Sequence, residues 1–222
     1  MTNMESRNLK LKTVKDGLID SAKLKNLILE DTDILDGIID FGNILAKSVM
    51  SGNKVLIFGN GGSAADAQHM AAEMVGTYVD KRRSFPAIAI TVDSSVITAI
   101  SNDIGYDAIF ERQIEAIGVE GDIAIGITTS GNSKNIVKGL KIAKDKGMIT
   151  SVLAGKNISE LSVVTDYLIS IPSTSTPRIQ EAHGTIIHIL CDLIRSELRL
   201  SLIHISEPTR PRLISYAVCC LK

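Results

Sequence analysis

The stretch KVLIFGNGGSAADAQHMAAEMVG, residues 54–76, decides how this chain is read. Val55–Phe58 form an apolar burst that ends at Gly59, and two more glycines follow at 61 and 62. A short burst without alternation is buried on both faces, as in a parallel sheet covered by helices. Glycines at its end let the backbone turn sharply and bring N–H groups close to a ligand. Alone, this loop reads equally well as a tight strand-to-helix connection. Beyond it, helical spacing is expected over Ala64–Tyr78, and that helix carries His69 and Glu73.

Four further bursts repeat the pattern: PAIAIT (86–91), IAIGIT (123–128), TSVLAG (150–155) and YLISIP (167–172). Helical segments are expected over Tyr106–Ile117, Ser133–Lys146 and Pro177–Leu198, with Pro177 suited to a first turn. Ahead of the first strand, apolar residues from about Thr13 to Met50 fall at helical spacing. DTDILDG interrupts them, with Asp31, Thr32 and Asp33 as capping residues, so two helices are expected. The sum is an α/β fold, a five-stranded parallel flavodoxin-like sheet flanked by helices, with an N-terminal helical pair. Domain organisation follows: helices over 1–52 that pack on the domain or on a partner subunit, the α/β domain over 53–199, and a tail over 200–222.

In such sheets ligands lie beyond the C-terminal strand ends, where the winding reverses between the first and third strands. The two most unusual loops fall there: GNGGS, residues 59–63, and TTSGNS, residues 128–133. Hydroxyls and helix N-termini suit a phosphate. The second loop alone reads also as a turn with Ser133 as N-cap. Together the loops point to a sugar phosphate or similar anion. Neither matches the phosphate-loop or dinucleotide fingerprints, which disfavours nucleotides.

His69 and Glu73 share a helix face at i, i+4, a spacing that serves an ion pair as readily as a metal. The last helix carries RIQEAHGTIIHIL, with Gln180, His183 and His188; Gln180 and His188 share a broad face. His188 sits in an apolar run and reads also as a core histidine. Were His69, Glu73 and His188 to meet, they would make a zinc-type site with Gln180 as a weaker oxygen donor. Periodicity alone leaves that meeting open.

Composition excludes several classes. Net charge is −1 with 22% charged and 45% hydrophobic residues, so nothing draws the chain to nucleic acid or an anionic membrane. No apolar run reaches the ~18–20 residues of a membrane span. The polar N-terminus lacks a signal-peptide core, and Cys191, Cys219 and Cys220 have no framework spacing. A reduced, cytoplasmic setting is expected.

GNGGSAADAQHMAAEMVG, SNDIGYDAIFERQIEAIG, GITTSGNSKNIVKGLKIAK and PRIQEAHGTIIHILCDLI together resemble the phosphoheptose isomerases of the sugar isomerase (SIS) domain superfamily, from about Leu24 to Leu198. That resemblance implies conversion of sedoheptulose 7-phosphate to D-glycero-D-manno-heptose 7-phosphate, for heptose precursors of lipopolysaccharide or capsule. It implies that Asn60, Gly61, Gly62 and Ser63 contact substrate. Asn102 and Asp103 would hold sugar hydroxyls, and Thr128, Thr129, Ser130 and Ser133 the phosphate; Thr128 stands where the family usually has serine. His69, Glu73, Gln180 and His188 match zinc ligands, with Gln180 also at the substrate and Glu73 and His188 as the acid–base pair. Homotetramers are implied too. The alternative within the superfamily is a non-enzymatic relative that binds the bacterial replication initiator; it shares GNGGSAADAQH, and the full set of four ligands tells against it. After Leu198 the family pattern ends. The remainder, with two prolines, His204 and the Cys219–Cys220 pair, resembles a non-native extension and carries no expected function.

Overall fold

The computed structural model describes residues 3–77, 83–158 and 160–206. Tyr78 and the tail 207–222, with Cys219 and Cys220, lie outside the described residues. Two helices open the chain, α1 (Asn3–Glu30) and α2 (Thr32–Met50). They part at Asp31, whose Oδ1 accepts from the Ile34 N–H at 3.1 Å, the N-cap expected there. Helix α1 begins ten residues before the expected Thr13, over a stretch with too little apolar periodicity to announce it.

Then follow β1 (Val55–Gly59), α3 (Gly62–Val75), β2 (Ala87–Ala89) and α4 (Ser94–Asp103). A 3-10 turn at Tyr106–Ala108 leads into α5 (Ile109–Ile117), then β3 (Ile123–Thr128) and α6 (Lys134–Asp145). The chain closes with β4 (Ile149–Ala154), α7 (Leu161–Val164), β5 (Tyr167–Ser170) and α8 (Thr176–Ser206). All strand pairs are parallel, in the order β2-β1-β3-β4-β5, which is the expected flavodoxin-like winding.

The central strands β1 and β3 are buried throughout. Val55 and Ile57 face one layer, with Phe41 and Leu45 of α2, Met70 of α3 and Ile187 of α8. Leu56 and Phe58 face the other, with Phe110 of α5 and Ile136 and Leu140 of α6. The edges depart from continuous burial: Ile88 of β2 is exposed, and most of β5 is half-buried, because an edge strand has a neighbour on one side only.

Further elements differ from expectation, the short α7 among them. Helix α4 was not expected, since SSVITAIS is rich in β-branched residues; Asp93 caps it, accepting from the Val96 N–H at 3.0 Å. The single helix expected over Tyr106–Ile117 is a 3-10 turn followed by α5. Helix α8 runs past Leu198 to Ser206, so its helical geometry enters the segment set aside as a tail. Among the described residues no helix is long and apolar enough to cross a membrane.

Candidate active site

Parallel register pairs Gly59 with Ile127, so the chain leaves β1 and β3 side by side at Asn60 and Thr128. Between the two loops lies a cavity of about 70 Å³ lined by Asn60, Ser63, Ile127, Thr128, Thr129, Ser130 and Ser133. Five of these residues bring hydroxyls, and none brings a carboxylate. Thr128 Oγ1 lies 3.5 Å from Ser133 Oγ and accepts from the Gly131 N–H at 3.3 Å. The Ser130 hydroxyl accepts from the Asn132 N–H at 3.3 Å. Ser133 holds the N-cap position of α6, yet its side chain makes no capping bond. Its hydroxyl instead faces Thr128 Oγ1 at the cavity wall. Both α3 and α6 begin beside this cavity, and their N-termini carry the positive ends of the helix dipoles. A larger cavity, about 450 Å³, lies at edge strand β2 among Ile88, Val92, Val96, Ile100 and Ile117; none of the expected site residues lines it.

Gly61 has φ 56°, a left-handed conformation that L side chains adopt at a cost, and this lets the chain turn into α3. Gly62 has a different reason. A Cβ built there would stand 2.7 Å from Gln180 Cδ, so the amide of α8 lies directly on the first loop. Eight residues further along α8, His188 Nε2 meets His69 Nε2 at 3.1 Å, and the rings stand edge to face at 81°. His69 Nε2 also lies 3.3 Å from Glu73 Oε1. The contacts Gly62–Gln180 and His69–His188 advance together along both helices, so α3 and α8 run parallel here. Helix α3 thus brings His69 and Glu73, and α8 brings Gln180 and His188, to the seam where the two helices pack.

His69, Glu73 and His188 each offer a ligand atom, all within 4.8 Å of one another. Two imidazoles and a carboxylate are the donors of an open catalytic zinc site. Separations of 3.1 and 3.3 Å suit ligand atoms on one ion with bonds of about 2.0–2.1 Å. The residues therefore fit a zinc-type ion. Helical spacing could not bring His188 to His69; packing of α8 on α3 does.

Asn102 and Asp103 lie outside the hydroxyl-lined cavity, on the helix that packs against the Tyr106 turn. They are exposed at the end of α4, with the Asn102 amide donating to Asp103 Oδ1 at 2.8 Å. His183, on the other side of α8, is fully buried with Nε2 3.4 Å from the Ala154 carbonyl oxygen. Burial lowers its pKa to about 4, against the smaller opposing pull of that carbonyl. Three residues near the site escaped the sequence reading: Asp66, Tyr106 and Asn135. Asp66 stands one turn before His69; burial raises its carboxyl pKa, and the imidazole pulls it the other way. Asn135 and Tyr106 hydrogen-bond to Asn60. Their one sequence signal is position, since both adjoin loops already singled out.

Comparison with known proteins first defines the class: the SIS domain family model matches residues 22–155. The phosphoheptose isomerase of Aquifex aeolicus (strain VF5) is 49% identical over 184 residues, covering 83% of this chain and 95% of that protein. Its counterpart from Geobacter sulfurreducens is 49% identical over 168 residues, 76% of this chain and 89% of that protein. The structure of a phosphoheptose isomerase from Neisseria gonorrhoeae superposes with TM-score 0.78 at 36% identity, covering 84% of this chain and 98% of that one. The chain belongs to the phosphoheptose isomerase family of SIS-domain proteins.

Proposed function

We propose that this protein is an aldose–ketose isomerase that converts sedoheptulose 7-phosphate to D-glycero-D-manno-heptose 7-phosphate. One observation carries the reading: a hydroxyl-lined cavity and a His–Glu–His group lie at two stations along α3, with α8 closing over both. Seven residues separate Gly62 from His69, about 10 Å of helix. A heptulose 7-phosphate likewise carries its phosphate and its reacting carbons at opposite ends of the chain.

In this reading Thr128, Thr129, Ser130 and Ser133 bind the phosphate from loop and helix N-terminus, and Asn60, Gly61, Gly62 and Ser63 complete the cradle. Gln180 reaches over the first loop onto the sugar. Asn102 and Asp103, on the helix that packs against the Tyr106 turn, hold sugar hydroxyls. Glu73 removes a proton from C1 and returns it to C2. His188 donates a proton to O2 as the enediol forms and accepts the O1 proton as it collapses, so the atoms balance and no redox partner is needed. Zinc held by His69, Glu73, Gln180 and His188 would polarise the sugar oxygens. The reaction belongs to heptose precursor synthesis for lipopolysaccharide or capsule, in the cytoplasm.

The chain is proposed to work as a homotetramer. Leu9, Leu11, Val14, Leu18 and Leu27 are exposed along α1, an apolar surface that partner subunits would cover. The replication-initiator alternative is not favoured, since the curated relatives are phosphoheptose isomerases.

The test is direct. Purified protein should form the aldose from sedoheptulose 7-phosphate, and Glu73→Gln should bind the ketose yet turn it over about 100- to 10,000-fold more slowly. Near-normal turnover in that variant overturns the assignment of the base.

A further inference from the structure

Asn60 is the residue at which the two loops are joined. Its Nδ2 donates to Asn135 Oδ1 at 3.0 Å, while Asn135 Nδ2 donates back to Asn60 Oδ1 at 2.9 Å. The Tyr106 hydroxyl donates to the same Asn60 Oδ1 at 2.9 Å. Asn135 is buried to 3% exposure in the first turn of α6, immediately behind the hydroxyl loop. Tyr106 stands on the other side, in the 3-10 turn after α4, and is exposed.

The inventory of this cluster is restrictive. A primary amide has two N–H donors and a carbonyl oxygen with two lone pairs. Asn60 spends both lone pairs and one N–H on Asn135 and Tyr106. Among the described residues, the second N–H has no partner, and Asn60 lines the cavity of the hydroxyl loop. A side chain so pinned has few rotamers left to lose when a ligand arrives. The clamp also holds the β1–α3 loop in register with α6 across a sequence gap of 75 residues.

We infer that Asn135 and Tyr106 are positioning residues: acting through Asn60, they present its remaining N–H to the anion and set the distance between the two loops. The inference rests on the reading of the cavity as the phosphate subsite. Neither residue touches the substrate's reacting carbons, so their loss weakens binding and leaves the proton transfers in place.

A double-mutant cycle tests this in the full-length protein. Asn135→Ala should raise both the KM and the calorimetric Kd for sedoheptulose 7-phosphate about tenfold or more, from two hydrogen bonds at their usual net worth. The kcat should change by less than about threefold. In an Asn60→Ala background the same substitution should add less than about twofold, because its route to the ligand is already gone. Tyr106→Phe removes one exposed hydroxyl and should raise KM about threefold with no change in melting temperature. It therefore still tests the clamp if Asn135→Ala folds poorly.

Equal effects of Asn135→Ala in both backgrounds, or a loss confined to kcat, would overturn the positioning role; so would a Tyr106→Phe enzyme with unchanged KM. Wild-type protein that binds the sugar phosphate with the expected cycle but does not isomerise it refutes the proposed reaction and leaves the clamp standing.

Discussion

Gly62→Ala separates the demands of folding from those of the site. The added Cβ would stand 2.7 Å from Gln180 Cδ, and ordinary contact begins at 3.4 Å. Gln180 must therefore withdraw by at least about 0.7 Å at Cδ, and its amide tip swings on the order of 1 Å. The obstruction is the far end of a flexible side chain, so the fold can yield at little cost. Gly62 is also the first residue of α3, where alanine is favoured over glycine by up to about 1 kcal/mol. Melting temperature should then stay within about 4 °C of wild type. Activity should not follow. Displacement of about 1 Å in a reacting constellation can cost on the order of 100-fold, so kcat/KM for sedoheptulose 7-phosphate should drop by about 10- to 100-fold. The assay is aldose formation alongside a thermal melt of the same sample. Activity within twofold of wild type would refute the placing of Gln180 over the first loop as a functional feature. An unfolded variant would refute the claim that the contact is easily relieved.

Protein purified without chelator should contain zinc close to one per chain by elemental analysis, and His69→Ala should lose it; trace metal in the wild type would count against the ligand set. His183 makes stability depend on pH. Its pKa is about 4 when folded against 6.5 in the open chain, so between those values the unfolded state binds the extra proton. Stability is therefore fully present above pH 6.5 and falls by on the order of 3 kcal/mol as pH drops towards 4. Urea unfolding across that window should be markedly steeper in pH for wild type than for His183→Gln; equal slopes would refute the assignment. Light scattering should give a mass near four chains, and truncation of 1–30 should lower it; a wild-type monomer would overturn the tetramer.

Local chemistry made much of this molecule legible. Continuous apolar bursts such as Val55–Phe58 and Ile123–Ile127 identify strands buried on both faces, and parallel winding then puts GNGGS and TTSGNS at adjacent strand ends. Asp31 announces a helix boundary because its carboxylate caps only the residues just after it. The i, i+4 spacing places His69 near Glu73 for the same reason: both lie within one helical turn.

Tertiary structure alone decided the rest. His188 reaches His69 across 119 positions, and Asn135 reaches Asn60 across 75. Such contacts depend on how α8 lies on α3 and how α6 meets the first loop, which side-chain packing sets and no local period encodes. Packing also chose between the two readings of His188, which turns out to meet His69, while His183 turns into the core under the Ala154 carbonyl. Helix α4 formed against its β-branched composition, because a cap at Asp93 and tertiary contacts outweigh a weak intrinsic preference.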